Sequence, residues 1–255
     1  MIIADDFGLD PAHDKVIIDL LRNGKINGTS VMVSDRLDTK GVEELKAIRL
    51  SNNIQIGLHL NLTEEMEGIR RFGSIISLWL DLMFGRIAAA STADSFNQQL
   101  IRFKEAFGFL PDFIDGHQHC HAISQNRSAL LKIAKELTAE NDEFWVRSPA
   151  AGKLAHAISE CRRGGMKTLL IMWWGEGLRS DLQKNHIKTN SDFSGFIPYK
   201  SATAFTKTYK DIFENRRDDC LIMVHPGSAN ANHEVEDHAN ELRALEAEML
   251  ANLKS

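Results

Sequence analysis

Short apolar segments alternate with amphipathic segments along most of this 255-residue chain, and this alternation constrains the fold more than any other feature. Apolar runs predict strands at residues 1–4, 30–33, 54–61, 144–147, 168–172 and 220–224, with another strand beginning at Phe113. Helical spacing predicts helices at residues 10–23, 39–50, 93–107, 128–138, 152–163, 203–215 and 235–253. Because successive strands return through right-handed helical crossovers, the chain should form a parallel α/β sheet, either closed as a barrel or open.

Polar side chains follow several of these strands, where both architectures place their active sites. Asp5 and Asp6 come after the first strand, His59 ends the third, His117 follows the next, and His225 follows the last. We therefore expect these side chains to meet at one edge of the sheet.

Asp5 and Asp6 are adjacent carboxylates, which repel one another unless a cation or a shared proton relieves the repulsion. An isolated pair of this kind is more often a helix cap or a loop acid. His59 and His117 favour a metal site over a cap or loop acid, since one carboxylate and two imidazoles form a recurring catalytic metal set with open coordination positions. The sequence predicts one divalent ion, either zinc or magnesium.

His117, His119 and His121 are spaced two residues apart, so in a continuing strand they would share a face with Asp115 below them. Three imidazoles would crowd an open metal site, and we expect at least one of His119 and His121 to be structural. Asp115 could accept an imidazole N–H as a supporting group, although a simple strand-end acid is nearly as consistent with the pattern.

His225 lies on a Pro-Gly turn after an apolar strand, where it either supplies a titratable imidazole or only ends the strand. Arg147, at the end of its own strand, is a candidate for orienting an acid or binding substrate. The remaining histidines fall on predicted helices or loops and are expected at the surface: His13, His156, His186, His233 and His238.

Composition narrows the classes of partner. The net charge of -5, with no basic tail, argues against binding nucleic acid through phosphates. No apolar run is long enough for a signal peptide or a transmembrane helix, and Cys120, Cys161 and Cys220 lack any CxxC spacing, so we expect a cytoplasmic protein with free thiols. The apolar face of the C-terminal helix could complete the barrel or pair two subunits as a homodimer.

Residues 64–91 interrupt the alternation with scattered glycines and aromatic residues, and we interpret this segment as a cap inserted into a single domain spanning residues 1–255. Four aromatic side chains could act as sugar platforms, but Trp173 and Trp174 are better explained as core residues. The four are Phe7, Trp79, Trp173 and Trp174.

Six ordered motifs across nearly the whole chain resemble those of the YdjC-like carbohydrate deacetylases, which include chitooligosaccharide and hopanoid-associated members. They are ADDFGL from Ala4, TSVMV from Thr29, GLHLNLT from Gly57, DGHQHCH from Asp115, VRSP from Val146 and MVHPG from Met223. Residues 64–91 match no motif of the family, so the resemblance says least about the identity of the sugar.

The resemblance implies a distorted, TIM-barrel-like (β/α) barrel with a divalent metal held by Asp6, His59 and His117. It also implies Asp5 as the general base and His225 as the acid. The expected reaction is hydrolysis of an N-acetyl group from an amino sugar or chitooligosaccharide, by attack of an activated water on the linear amide. Two alternatives stay open: a metal-dependent phosphoesterase or other hydrolase on the same barrel, and a non-catalytic sugar-binding relative.

Overall fold

Eight parallel strands form one sheet at the centre of the computed structural model, which describes residues 1–65, 71–197, 201–215, 217–232 and 239–253. The strands run in the order β6-β5-β4-β3-β2-β1-β8-β7. Their bounds are β1 (Ile2–Phe7), β2 (Gly28–Val31), β3 (Gln55–Leu60), β4 (Phe113–Gly116), β5 (Trp145–Val146), β6 (Lys188–Thr189), β7 (Asp192–Ser194) and β8 (Cys220–Val224).

The two edge strands are consecutive pieces of chain, and this curls the sheet. Only Asn190 and Ser191 separate β6, which pairs with β5, from β7, which pairs with β8. Three Cα–Cα steps from Thr189 to Asp192 span at most about 11 Å, so the opposite edges of the sheet come together at this segment. The result is a distorted, TIM-barrel-like (β/α) fold, as the family resemblance implies.

Helices connect the strands and cover the sheet. They are α1 (Pro11–Arg22), α2 (Thr39–Asn52), α3 (Ile75–Met83), α4 (Ala89–Phe107), α5 (Arg127–Glu140), α6 (Leu154–Lys184), α7 (Ala202–Glu214) and α8 (Ala239–Ala251). The start of α1 follows the expected chemistry, since the Asp10 side chain accepts the Ala12 N–H and Pro11 occupies the first turn, where a backbone donor is not needed.

The central strands are buried on both faces, which explains why they appear in the sequence as nearly continuous apolar runs. In β3, Ile56, Leu58 and Leu60 are fully buried, and Ile3 of β1 and Ile114 of β4 are equally inaccessible. Fully burying one such side chain contributes about 1.5–3 kcal/mol relative to leaving it exposed. This packing places the carboxyl ends of β1, β3, β4 and β8 around one opening.

The predicted strand at residues 168–172 is wrong, because these residues belong to helix α6. The run Thr-Leu-Leu-Ile-Met is apolar throughout, but its exposure follows a helical period: Thr168, Ile171 and Met172 are buried, whereas Leu169 is 60% exposed. A short apolar run cannot distinguish a strand from a helix by periodicity alone. Residues 152–163, predicted as a separate helix, overlap the first part of α6, which is interrupted at Gly165.

The two tryptophans of α6 have different environments. Trp174 is fully buried and contacts the ring of Trp79 on α3, with centroids 5.7 Å apart, whereas Trp173 is 62% exposed. The core interpretation therefore holds for Trp174 and is wrong for Trp173. The interpretation of residues 64–91 as a cap stays a prediction: α3 lies within them, and residues 66–70 fall outside the described part.

Two further expectations concern the cysteines and the membrane. Cys120, Cys161 and Cys220 are free thiols. Within the described ranges, none of the helices is both long enough and apolar enough to cross a bilayer. Residues 235–238, the predicted start of the C-terminal helix, lie outside the described residues, and α8 follows from Ala239.

A substitution at the junction between β7 and β8 tests how closely these two strands approach each other. Gly195 has φ +125°, and a Cβ there would lie 2.4 Å from the Met223 carbonyl oxygen of β8. We expect Gly195→Ala to lower the free energy of unfolding by at least about 3 kcal/mol, from backbone strain and this contact. Gly85→Ala is the control, since Gly85 has φ +69° with open space around its Cβ position, and should cost about 1 kcal/mol. Urea unfolding measures both, and equal costs would contradict the tight β7–β8 contact.

Candidate functional site

A local irregularity at the end of β1 brings Asp5 and Asp6 to the same opening. Adjacent residues of a regular strand point to opposite faces, but the register between β1 and β2 shifts between Ala4 and Phe7, and Asp6 has the left-handed φ of 69°. Both carboxylates are buried, and both line the same cavity. The motif therefore depends on a backbone conformation that costs about 1–3 kcal/mol for a residue other than glycine.

Asp6, His59 and His117, the three predicted metal ligands, lie close together in the structure. The Asp6 Oδ1 atom lies 3.2 Å from His59 Nε2 and 2.9 Å from His117 Nδ1. The three donor atoms all lie within 4.8 Å of one another. One carboxylate oxygen and two imidazole nitrogens at this spacing form a compact donor set of the kind that holds catalytic zinc and related ions.

The partners of His59 fit a cation at this point. Its Nδ1 lies 2.6 Å from Asp115 Oδ1, so a neutral imidazole donates there and turns the lone pair of Nε2 towards the Asp6 carboxylate. Two acceptors 3.2 Å apart repel unless a cation stands between them or a second proton is bound. Burial opposes a charge on His59, but Asp115 and Asp6 raise its pKa to about 10. A divalent ion between the two atoms would relieve the same repulsion.

Asp5 binds Arg147 and does not belong to the donor set of Asp6, His59 and His117. The Arg147 guanidinium binds both oxygens of Asp5, at 2.6 and 2.7 Å, and also lies 2.7 Å from Asp115 Oδ2. Burial raises the pKa of Asp5, but Arg147 and His59 lower it to about 2. Asp5, His59 and Asp115 also form a cluster of ligand size, but its two carboxylates already bind the guanidinium. The first cluster is therefore the better cation site.

His225 lines the same cavity as Asp5 and Asp6, after the last residue of β8. Burial lowers the pKa of His225 to about 4. Two charged residues of α8 reach this region from the other side: Arg243 lies 2.5 Å from Asp6 Oδ2, and Glu246 accepts the His225 backbone N–H at 2.7 Å. Arg243 thus occupies one oxygen of Asp6 and leaves the other facing the two imidazoles.

The His-rich segment does not continue the strand, so the expected alternation of three histidines on one face is wrong. Residues His117–Ala122 form a 3-10 turn with left-handed φ angles at Gln118 and His119. His119 lines the cavity and packs against aromatic rings, whereas the buried His121 lies with its Nε2 2.9 Å from the Arg147 carbonyl oxygen. The turn therefore places the three histidine side chains in different environments.

The histidines expected at the surface divide into different environments. His13 is fully buried, so its surface prediction is wrong, and its Nδ1 accepts the Ser228 N–H. His156 is half-buried and lies 2.8 Å from Asp192, while His186 is exposed. His233 and His238 lie outside the described residues.

The cavity has a volume of about 420 Å³ and combines the polar cluster with an apolar wall. Leu9, Ile171, Phe196, Ile197 and Met223 supply the apolar side. A volume of this order suits a small molecule such as one or two sugar rings.

The residues near the site that were not identified from the sequence include Ser30, Glu64, Arg243 and Glu246. The Ser30 hydroxyl lies 3.0 Å from His59 Nδ1, and Glu64 lies 3.7 Å from His117 Nε2. Ser30 lies in the TSVMV motif that begins at Thr29, and this motif was the feature of the sequence that could have identified it. For Glu246 the signal was its position four residues from both Leu242 and Leu250, on the apolar stripe of α8.

The chain belongs to the family of YdjC-like proteins, whose family model matches residues 1–254. It is 29% identical over 171 residues to a chitooligosaccharide deacetylase of Klebsiella pneumoniae (strain 342), an alignment covering 59% of this chain and 66% of that protein. It is 28% identical over 136 residues to a carbohydrate deacetylase of Mus musculus, covering 48% of this chain and 43% of that protein. The matched regions span less than two thirds of either relative.

A solved structure shares the fold. It is a candidate cellobiose-phosphate cleavage protein from Enterococcus faecalis V583, with a TM-score of 0.66 and 17% identity, over 99% of this chain and 90% of that one. At this identity the likeness extends to the fold alone.

Removing a donor from the Asp6, His59 and His117 set should weaken metal binding. We expect His117→Ala to raise the dissociation constant for Zn²⁺ at least about 100-fold, because two donors replace three. His186→Ala is the matched control, since His186 is exposed and belongs to neither ligand-sized cluster. Isothermal titration of chelator-treated protein gives both constants, and unchanged affinity in His117→Ala would contradict this ligand set.

Proposed function

We propose that this protein is a metal-dependent carbohydrate deacetylase that hydrolyses N-acetyl groups of amino sugars or chitooligosaccharides. The observation that carries the proposal is the convergence of Asp6, His59 and His117 beside Asp5 and His225 in one cavity. Deacetylase relatives at 29 and 28% identity support the reaction class. The cytoplasm is the proposed location.

Asp6, His59 and His117 would hold the ion, and Asp115 would orient His59 through its Nδ1–H. A divalent ion there would lower the pKa of water and polarise the acetyl carbonyl. Two imidazole donors favour zinc or a similar transition ion, and magnesium would need waters to complete a more oxygen-rich shell.

Asp5 is the proposed general base. Its carboxylate stays ionised at neutral pH because Arg147 lowers its pKa against the effect of burial, and a proton acceptor must be ionised. The two-point contact with Arg147 also fixes the plane of the carboxylate, and Ser30 lies 3.3 Å from Asp5 Oδ1. Arg147 is therefore the residue that orients the base.

His225 is the proposed acid. The departing amine is a poor leaving group until it is protonated, and an imidazolium at the cavity wall could supply that proton. Since burial keeps His225 neutral in the free protein at pH 7, the proton that Asp5 takes from the attacking water would pass to His225 and from there to the amine, which leaves Asp5 ionised again. The proton count over the cycle balances, with acetate and the free amine as products.

The apolar wall and the polar cluster together suit an acetylated sugar, which presents a methyl group and several hydroxyls. A phosphoester substrate is less well matched, because Arg147 and Arg243 both bind carboxylates of the site rather than open space. His119 lies on the wall, where it would contact substrate.

Acetate release from N,N'-diacetylchitobiose tests the reaction class. We expect release by the metal-loaded protein, loss after treatment with a chelator, and recovery on adding a divalent ion. An aryl phosphate assayed in parallel should not be hydrolysed. Release that persists without metal would contradict the mechanism, and phosphatase activity alone would favour the alternative hydrolase.

Replacing Asp5 by Asn separates proton transfer from metal binding. Asp5→Asn should lower kcat at least about 100-fold, because an amide cannot take the proton from water. The dissociation constant for Zn²⁺ should change little, since Asp5 lies outside the proposed ligand set. Near-normal deacetylation by this variant would show that Asp5 is not the base.

A further inference from the structure

Helix α8 carries a buried glutamate that the proposed reaction does not use. Glu246 is fully buried, four residues from each of two leucines on the same face, Leu242 and Leu250, which are also buried. Burying a carboxyl group among apolar side chains costs free energy unless it makes hydrogen bonds. Glu246 therefore needs a hydrogen-bond partner at this position.

That partner is the turn bearing His225. The Glu246 Oε2 atom accepts the His225 backbone N–H at 2.7 Å, the Arg243 carbonyl accepts the Gly227 N–H at 3.0 Å, and His13 Nδ1 accepts the Ser228 N–H at 3.0 Å. The intervening residue is Pro226, which has no N–H. Each backbone donor of the turn thus has an acceptor, supplied from α8 or α1.

The need for a side-chain acceptor follows from the point at which β7 ends. The Cys220 carbonyl and the Ile222 N–H bond Met1 on the β1 side of β8, and because backbone groups alternate sides along a strand, the His225 N–H points to the opposite side, towards β7. The ladder between β7 and β8 ends at the pair Ser194 and Ile222, so β7 supplies no paired residue opposite His225. Glu246 takes the place of that strand partner.

We propose that Glu246 is a positioning residue, which fixes the His225 imidazole towards the cavity by accepting the backbone N–H of the same residue. The functional consequence rests on the proposed role of His225 in deacetylation. The structural consequence, a fixed orientation of the imidazole, is independent of the substrate.

Two variants of similar size separate the hydrogen bond from simple packing. Glu246→Gln keeps an oxygen acceptor, and it is a close match because burial raises the pKa of Glu246 to about 8 and favours the neutral acid. Glu246→Leu fills the same space without an acceptor. Glu246→Met, also without an acceptor, replaces it if the Leu variant does not fold, and thermal melting establishes that each variant is folded at the assay temperature.

With N,N'-diacetylchitobiose and metal-loaded protein, Glu246→Gln should retain kcat within about threefold, whereas Glu246→Leu should lose about 10–100-fold. The KM should stay within about twofold in both, because no cavity-lining side chain has changed. A purely structural role would lower stability in both variants without this separation in kcat.

The second measurement does not need a substrate. In the metal-free protein, the His225 Hε1 resonance, assigned by its loss in His225→Gln, should keep its wild-type position at pH 7 in Glu246→Gln and move or broaden in Glu246→Leu. A wild-type resonance and wild-type kcat in the Leu variant would overturn the proposal, as would equal impairment of both variants. If the wild-type protein releases no acetate, the proposed function fails, and the resonances alone decide the positioning role.

Discussion

The left-handed conformation of Asp6 is the constraint on which the site depends. A regular strand would send Asp5 and Asp6 to opposite faces of the sheet, whereas the irregular end of β1 turns both towards one cavity. The strain of about 1–3 kcal/mol is offset by the contacts that the Asp6 carboxylate makes in this conformation. His59, His117 and Arg243 all lie within hydrogen-bonding or ion-pair distance of the Asp6 carboxylate.

The same irregularity organises the charges around it. Asp5, Asp6 and Asp115 bring three buried carboxylates together, and Arg147 and Arg243 supply two guanidinium groups. Three carboxylates and two guanidiniums leave one uncompensated negative charge, which a proton on His59 would balance and a divalent ion beside it would exceed by one. Buried ion pairs contribute little net stability, because desolvation opposes the attraction between the charges. Their value here is orientation, since each guanidinium fixes a carboxylate that the proposed chemistry uses.

Much of the architecture can be predicted from the sequence, because strands buried on both faces must be apolar and strand ends must share one edge. The run around Ile56 and Leu58, and the approach of His59 to His117, follow from that rule alone. The two short strands β6 and β7 could not be predicted, since two or three residues carry no period. The run at residues 168–172 was wrongly predicted as a strand for a related reason. Its neighbours in the folded structure, and not the local pattern, decide which of its faces is buried.

The detailed arrangement of side chains in the site depends on contacts between residues that are far apart in the sequence. The 3-10 turn after β4 separates His119 from His121, and no periodicity in the sequence signals its left-handed residues. Arg243 looks like a solvent-facing charge on an amphipathic helix until α8 is placed against the turn after β8, and Glu246, although it lies on the apolar stripe, has no partner that the sequence identifies. The sequence pattern indicates which residue types gather at a sheet edge, whereas the pairing of each carboxylate with its guanidinium depends on the packed structure.

In the proposed mechanism Asp6, His59 and His117 hold one divalent ion, and anomalous diffraction from crystals grown with Zn²⁺ would locate that ion. We expect one strong anomalous peak about 2.0–2.2 Å from Asp6 Oδ1, His59 Nε2 and His117 Nδ1. Asp5 should remain bound to Arg147 in that structure. A peak held by other residues, or no peak between these three atoms at saturating Zn²⁺, would rule out this ligand set.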